Sequence, residues 1–319
     1  MSRVQDRGHI SRRQFIGAAV GTVALTGLAL SPIVQGAVDS GMPAGSSVPP
    51  FDAERAYSYL LRQVEFGPRE PGKRGHVECR DYLRAHLRET LGNSSLQPFE
   101  METDRGAIPM WNILAEHDAE NPRQVLLCAH WDTRPTADKE PDPEDRDQPI
   151  AGANDGASGV AVLLEVASLL RAYPPPYGVR FVLFDGEDYG PGSDRMYLGA
   201  KHYAQHLPTP DPEWGVLLDM VGDRDLGIWR ERNSENGAPQ VNDRIWRAAK
   251  AAGHSDVFHD SEKWSITDDH IPLLEAGVPI VDLIDFDYPY WHTLEDTPDK
   301  CSPESLGAVG ETLLHALYQ

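Results

Sequence analysis

Four apolar segments of the chain end close to residues that could hold a metal ion or move a proton. The segments are 124–129, 179–184, 215–218 and 278–284, and their short apolar runs predict buried strands. The polar residues that follow these segments, directly or one loop later, or that open the next helix, are His130, Asp132, Asp155, Glu187, Asp188, Asp219 and His292. In an open parallel sheet, ligands bind beyond the carboxyl ends of the strands, so these residues should meet at one edge. Histidine nitrogens combined with carboxylate oxygens suit a zinc-type ion.

The order of the predicted elements defines the fold class. Strands alternate with helices along the chain, which predicts an α/β protein, a three-layer α/β/α sandwich around a mixed, mostly parallel central sheet. Two further strands are predicted at 95–102 and 110–116. The predicted helices are 52–64, 75–91, 157–170, 197–206, 241–252, 267–276 and 303–317. The helix at 157–170 is almost entirely apolar, so it should be buried against the sheet.

The first 50 residues differ in composition from the rest. Arg12 and Arg13 precede an uncharged apolar run at 18–30, a pattern typical of a twin-arginine signal peptide, here ending near residue 36. The alternative is an arginine pair before a membrane anchor, but the run is short for a membrane span. Residues 37–50 are rich in Gly, Pro and Ser and predict a linker, which leaves 51–319 as a zinc-dependent catalytic domain. We therefore expect export to the periplasm or cell exterior, with no stable membrane span in the mature chain.

Charge and cysteine content exclude several classes of protein. The 319 residues carry a net charge of −21, whereas nucleic acid and anionic lipid attract Lys and Arg, so binding to either is not expected. The three cysteines, Cys79, Cys128 and Cys301, form no CxxC pair, and an odd number cannot all pair with one another. A protein that folds in the reducing cytosol before export has no need of disulfides. Cys128 lies within a predicted strand and should be a core residue.

The segment 133–152 departs from the α/β pattern. It is polar and rich in Asp and Pro, and it lies between His130 and Asp155 in the sequence. Long loops of this kind inside compact domains are usually either functional or disordered. We predict a loop that flanks the site, with a disordered segment as the alternative.

Each acidic candidate has a structural explanation beside the functional one. Asp155 lies in a turn of small residues, 153–159, whose backbone could approach an ion closely, but an aspartate there could equally cap the following helix. Glu187 and Asp188 are adjacent and must point in different directions, so one could bind a metal while the other faces substrate. An acidic pair after a strand is also common in solvated turns.

Taken together, these motifs resemble metallopeptidase family 28, which contains di-zinc aminopeptidases and glutaminyl-peptide cyclotransferases. The similar segments, in chain order, are His130-Trp131-Asp132, Asn154-Asp155-Gly156-Ala157-Ser158-Gly159, Phe184-Asp185-Gly186-Glu187-Asp188, Leu218-Asp219 and Trp291-His292-Thr293. The segment Asp268-Asp269-His270-Ile271-Pro272-Leu273 is similar to a motif of the glutaminyl cyclase branch. The resemblance covers nearly all of 51–319.

The cyclase resemblance implies a role for each matched position. Asp155, Asp188 and His292 would hold one zinc ion, and Glu187 would be the general acid and base. A hydrogen-bonding network of Asp219 and Asp268 would orient Glu187, and Trp291 would line the substrate pocket. The substrates implied are peptide or protein amino termini that begin with glutamine. Two positions depart from the pattern: Asp188 replaces a glutamate, and Asp282 stands where the animal cyclases have a histidine.

The resemblance leaves two alternatives open. In a secreted aminopeptidase, His130 and Asp219 would bind a second zinc ion bridged by Asp155, and Asp132 would orient these ligands from behind. The third hypothesis is an inactive envelope binding protein on the same scaffold. It is the weakest, because Glu187 and all the candidate ligands are present.

Overall fold

A computed structural model describes residues 48–103 and 106–319. The helices in these residues are α1 (Ala53–Val64), α2 (Arg74–Leu91), α3 (Ala157–Leu170), α4 (Leu198–Ala204), α5 (Arg232–Gly237), α6 (Pro239–Ala252), α7 (His270–Glu275) and α8 (Pro303–Tyr318). The strands are β1 (Ser95–Thr103), β2 (Gly106–His117), β3 (Gln124–His130), β4 (Gly178–Phe184), β5 (Pro212–Asp219), β6 (Ile228–Arg230), β7 (Phe258–Glu262) and β8 (Ile280–Ile284). The predicted signal peptide and most of the predicted linker lie outside the described residues.

The central sheet has six strands in the order β1-β2-β4-β3-β5-β8. The strands β4, β3, β5 and β8 are parallel to one another, whereas β1 and β2 form an antiparallel edge next to β4. Helices pack on both faces of this sheet. The prediction of a three-layer sandwich with a mixed, mostly parallel sheet is confirmed.

Side-chain alternation in β3 shows how the two faces are buried. Val125, Leu127 and Ala129 belong to the large core beneath α1, α3 and α8. Leu126 and Cys128 belong to the second core, beneath α4 and α7. Successive strand residues point to opposite faces, so a strand covered by helices on both faces is apolar at nearly every position. This burial explains why the residues that end the parallel strands are held rigidly at one edge.

Helix α3 packs unusually closely on the sheet at Gly159. A Cβ atom at this position would lie 2.3 Å from the Leu218 carbonyl oxygen, which is backbone and has little freedom to move. The absence of a side chain therefore lets the first turn of α3 approach the end of β5. As a result, Asp155 before the helix comes close to Asp219 at the end of the strand.

Some local features differ from the sequence prediction. The predicted helix 267–276 is shorter, because α7 begins at His270, and Asp268 therefore lies just before the helix. The short parallel pair β6–β7 and helix α5 were not predicted, because three- to six-residue elements leave too little periodicity to detect. All three cysteines are buried and free, and Cys128 is a core residue, as predicted. Within 48–103 and 106–319, no helix has both the length and the apolar character needed to cross a membrane.

Candidate metal centre and active site

The carboxyl ends of β3 and β5 bring together the first group of candidate ligands. His130 is the last residue of β3 and Asp219 is the last residue of β5, and the two strands are parallel neighbours. The His130 Nε2 atom lies 3.1 Å from an oxygen of Asp219 and 3.1 Å from an oxygen of Asp155. Burial alone would lower the pKa of His130, but the charges of Asp219, Asp132 and Asp155 raise it well above the usual value.

A second group forms on the other side of Asp155. The His292 Nε2 atom lies 3.2 Å from Asp188 Oδ1 and 3.6 Å from Asp155 Oδ2, and all three residues are buried. Each group offers one histidine nitrogen and two carboxylate oxygens within 4.8 Å of one another. Asp155 belongs to both groups, so it is the only residue among those described that could bridge two ions.

The donor set fits a zinc ion on the His292 side. Asp155 Oδ2 and Asp188 Oδ2 are both buried, and neither accepts a hydrogen bond from any residue that the structure describes. A buried carboxylate oxygen without a partner is costly, and a cation would offset that cost. Nitrogen and carboxylate ligands in this number also leave a coordination position for substrate.

The Asp155 side chain does not cap α3. Gly156, with φ of 98°, precedes the helix, and no side chain caps its first turn. The turn is fixed instead by Asp296, whose carboxylate accepts hydrogen bonds from Asn154 N at 2.8 Å and Asp155 N at 3.2 Å. Asp296 follows the Trp291-His292-Thr293 motif by only three residues, but no pattern in the sequence links it to Asp155.

Glu187 and Asp188 follow β4 and are held by Asp132. The two oxygens of Asp132 accept hydrogen bonds from the backbone N–H groups of Glu187, at 3.1 Å, and Asp188, at 3.2 Å. Both acidic side chains are buried, so they do not form a solvated turn. Burial, followed by the charge of Asp188, raises the pKa of Glu187 well above the usual value for a glutamate. A carboxyl group with a raised pKa is suited to proton transfer.

The opposite wall of the cleft contains Asp268. Burial and the charge of Asp219 raise the pKa of Asp268 well above its ordinary value, and its Oδ2 atom has no hydrogen-bond partner among the described residues. Apolar and aromatic side chains complete the cleft; they are Met196, Tyr197, Met220, Ile266, Ile284, Phe286 and Trp291. The Trp291 ring lies 4.0 Å from the His292 ring, centroid to centroid. The cleft therefore has one acidic end and one aromatic side.

His270 is buried behind this wall and does not lie on a helix surface. Its Nε2 atom is 3.3 Å from Glu231 and its Nδ1 atom is 3.7 Å from Asp282. Despite burial, the hydrogen bond from His270 and backbone N–H groups lower the pKa of Glu231 to about 2. Burial and the charge of Asp268 raise the pKa of Asp282 well above its ordinary value. Asp282, one of the two departures from the cyclase pattern, thus lies behind the cleft with the His270 ring beside its carboxylate.

The loop 133–152 packs directly against the site and contributes two residues that sequence reasoning missed. Arg134 contacts Asp188, and Asp138 contacts His292. Lys139 N donates a hydrogen bond to the His292 carbonyl oxygen. His292 has a left-handed backbone, with φ of 57°, which costs a non-glycine residue about 1–3 kcal/mol. Contacts from this loop help to hold His292 in that conformation.

The fold and the site define a zinc-exopeptidase-like α/β sandwich, in which histidines and carboxylates gather beyond the parallel strands. The family model described as Peptidase family M28 matches residues 112–317, and the chain therefore belongs to peptidase family M28. The predicted resemblance is confirmed.

Relatives of both predicted enzyme types are found. The glutaminyl-peptide cyclotransferase-like protein of Mus musculus is 28% identical over 300 residues, covering 82% of this chain and 74% of that protein. Among solved structures, a glutaminyl cyclase of Tannerella forsythia is 38% identical, with a TM-score of 0.82, covering 85% of this chain and 99% of that one. A Zn-dependent exopeptidase of Parabacteroides distasonis is 35% identical, with a TM-score of 0.83, covering 86% and 100%. The prediction of a zinc-dependent M28 enzyme of one type or the other is confirmed.

Proposed function

We propose that the protein is a zinc-dependent glutaminyl-peptide cyclotransferase, which converts the amino-terminal glutamine of peptides to pyroglutamate and releases ammonia. The observation that carries this proposal is the position of Asp268. Its buried carboxyl has one oxygen without a hydrogen-bond partner among the residues that the structure describes, and it lies in the same cleft as Glu187 and Asp219. The raised pKa of Asp268 favours the protonated form of its carboxyl, which can donate a hydrogen bond to an acidic neighbour.

The residues of the chain divide the chemistry between them. A zinc ion bound by Asp155, Asp188 and His292 would supply Lewis-acid polarisation of the substrate γ-amide carbonyl. The substrate α-amine attacks the carbonyl carbon of that γ-amide, which is Cδ of the glutamine, a new C–N bond forms, and Glu187 accepts a proton from the amine. Glu187 then returns that proton to the departing nitrogen, the bond to the amide nitrogen breaks, and ammonia leaves. Trp291, which lines the cleft, would pack against the short aliphatic part of the glutamine side chain.

The same site favours one ion over two. On the His130 side, the ligand atoms already contact one another, because His130 Nε2 hydrogen-bonds to Asp219. On the His292 side, two buried carboxylate oxygens have no hydrogen-bond partner within the described residues, although one of them lies 3.6 Å from His292 Nε2. We therefore assign one zinc ion to Asp155, Asp188 and His292, with Asp132 holding the backbone that carries Asp188.

A secreted di-zinc aminopeptidase is the second candidate. The group of His130, Asp155 and Asp219 is intact and buried, and Asp155 could bridge a second ion. Glu187 would then activate water against the first peptide bond. The family contains both chemistries on one fold, so the site rather than the fold must decide between them.

The amino-terminal sequence carries a separate proposal. The Arg12-Arg13 pair and the following apolar run indicate that the catalytic domain 51–319 is exported through the twin-arginine route to the periplasm or cell exterior. Its substrates would then be the amino termini of peptides or proteins outside the cytoplasm.

Product analysis tests the cyclase against the aminopeptidase. The purified enzyme is incubated with a glutamine-initiated peptide and, separately, with amino-acid p-nitroanilides. The cyclase should release ammonia and leave a product lighter by one ammonia, and p-nitroanilides should persist. Release of free glutamine, or rapid cleavage of the p-nitroanilides with no pyroglutamyl product, would establish the peptidase instead.

A further inference from the structure

We propose that Arg134 and Asp138 are positioning residues that fix the orientation of two metal ligands, Asp188 and His292. This inference rests on the proposed zinc site but not on which reaction the site catalyses. It assigns a role to the start of the polar loop 133–152, which no motif of the sequence explains.

Arg134 joins two carboxylates with one buried guanidinium. Its Nη1 atom lies 2.6 Å from Asp188 Oδ1, and its Nε and Nη2 atoms donate to the two oxygens of Asp138 at 3.0 Å and 3.1 Å. The guanidinium is rigid and planar, so binding one carboxylate along an edge fixes the direction of its remaining donor. Asp188 Oδ1 thereby accepts a hydrogen bond from Arg134. Asp188 Oδ2 has no hydrogen-bond partner among the described residues and is therefore the oxygen available to an ion.

The guanidinium has no room to move away from Asp188. The Arg134 side chain is only 6% exposed. A Cβ atom on Gly190 would lie 2.6 Å from Arg134 Nη1, so the guanidinium packs against the bare backbone of that glycine. This packing fixes the position of the guanidinium. A fixed guanidinium can set the orientation of the Asp188 carboxylate, whereas a mobile one would only balance its charge.

Asp138 orients His292 from the side away from Asp188. Its Oδ1 atom lies 3.0 Å from His292 Nδ1, while His292 Nε2 points towards Asp155 and Asp188. A carboxylate that binds one ring nitrogen of a histidine selects the tautomer whose other nitrogen can bind a metal. The Arg134 and Asp138 contacts therefore form one continuous unit, from Asp188 through Arg134 and Asp138 to His292.

The neighbouring residues of the loop support the same end of the site. Lys139 N donates to the His292 carbonyl oxygen at 3.2 Å, and a Glu140 carboxylate oxygen accepts from Leu294 N at 2.7 Å. Three successive loop residues, 138–140, thus contact the segment 292–294. Loss of Asp138 should consequently disturb His292 locally, because its neighbours still hold the backbone.

Zinc affinity of the metal-free protein provides the test. Zinc is titrated in competition with a chromophoric chelator, without substrate, for the wild type and for Arg134→Gln, Arg134→Lys, Asp138→Ala and Asp138→Asn. Partners that orient ligands typically contribute 10- to 100-fold in metal affinity, so we expect the zinc Kd to rise about 10- to 100-fold for Arg134→Gln and Asp138→Ala. The conservative Arg134→Lys and Asp138→Asn variants should recover part of this loss. The double variant Arg134→Gln/Asp138→Ala should lose less than the sum of the two single effects, because the residues act as one unit.

Two matched controls separate positioning from general destabilisation. Arg180 is also a buried arginine paired with a carboxylate, Glu116 at 3.1 Å, but it lies at the start of β4, away from the site. Arg180→Gln should lower the melting temperature and leave the zinc Kd within twofold of the wild type. Asp147→Ala, at an exposed position of the same loop, should change neither.

The absorption spectrum of the cobalt-substituted protein gives a second readout, because it reports ligand geometry. We expect Asp138→Ala to shift this spectrum and Asp147→Ala to leave it unchanged. Folded Arg134→Gln and Asp138→Ala variants that bind zinc as tightly as the wild type would overturn the positioning role while leaving the cyclase proposal intact. A wild-type zinc affinity that His292→Ala does not alter would overturn the metal site itself, and with it both proposals.

Discussion

The two ligand groups that share Asp155 differ in how their atoms are engaged. In the His130 group, the histidine lies 3.1 Å from both carboxylates and forms an ion pair with them. In the His292 group, the histidine lies 3.2 Å from Asp188 Oδ1 and 3.6 Å from Asp155 Oδ2. Asp155 Oδ2 and Asp188 Oδ2 nevertheless have no hydrogen-bond partner among the described residues, and Arg134 and Asp138 contact the ligands from outside. The His292 group therefore retains two buried carboxylate oxygens without a hydrogen bond among the described residues, which a cation could bind. An intact set of di-metal ligands does not by itself imply two ions.

The charge balance around the two histidines is similar, so charge alone does not distinguish the two groups. Although burial lowers it, the charges of Asp188 and Asp138 raise the pKa of His292 to about 9. The pKa of His130 is also raised, by Asp219, Asp132 and Asp155. Each histidine must lose a proton before it can bind a metal ion. At either histidine, loss of the Nε2 proton would remove a contact with a carboxylate, which is Asp219 for His130 and Asp188 for His292. The other ring nitrogen would keep a second aspartate nearby, at 3.6 Å for His130 and 3.0 Å for His292.

The largest expected effect comes from Glu187→Gln, which tests whether catalysis and metal binding are separate on the His292 side. The substitution keeps the shape of the side chain but removes its ability to accept a proton. We expect the turnover of a glutamine-initiated peptide to fall about 100-fold or more, the scale of general acid–base catalysis. Zinc content, measured by elemental analysis, should stay near that of the wild type. A variant that loses its zinc would show that Glu187 is a ligand, and the division of roles between Glu187 and Asp188 would be wrong.

A matched pair of histidine variants addresses the comparison directly. His292→Ala should abolish tight zinc binding, because it removes the only nitrogen ligand of its group. His130→Ala should leave the zinc content unchanged, because the His292 group does not need it. Both measurements use elemental analysis after dialysis against a weak chelator. Two zinc ions in the wild type, with one lost in His130→Ala, would contradict the single-ion assignment and favour the aminopeptidase.

The sequence was sufficient to predict which residues meet but not what holds them. Residues that end buried parallel strands, such as His130 and Asp219, meet because the sheet brings the strand ends to one edge. The residues that hold the ligands contact positions far away in the sequence: Asp296 contacts Asp155 across 141 residues, Arg134 contacts Asp188 across 54, and Asp138 contacts His292 across 154. All three lie in polar segments without periodicity. Single-sequence patterns report local spacing, so a polar partner in an irregular loop gives no signal. The same reasoning explains why the Asp155 cap, a local alternative, was plausible and wrong.

The smallest effect is expected at Asp132, which belongs to neither ligand group but supports both. Its carboxylate accepts from the N–H groups of Glu187 and Asp188, and its Oδ1 atom lies 3.6 Å from His130 Nδ1. Asp132→Asn keeps one acceptor oxygen and replaces the other with an amide donor, so one of the two N–H groups loses its partner. We expect kcat/KM to fall about tenfold, within the range for residues that orient ligands from behind, and zinc affinity to fall less than in His292→Ala.

Combining Asp132→Asn with His130→Ala shows which of the two ligand groups Asp132 supports. If Asp132 acts through the turn that carries Glu187 and Asp188, then Asp132→Asn should lower activity equally in the presence and absence of the His130→Ala change. If it acts instead through His130, the two substitutions should not be additive, because the second has nothing left to orient. Additive losses in kcat/KM would show that Asp132 acts through Glu187 and Asp188, on the His292 side. A double variant whose kcat/KM is no lower than that of His130→Ala would show that Asp132 acts through His130. The His130 group would then have a role in catalysis.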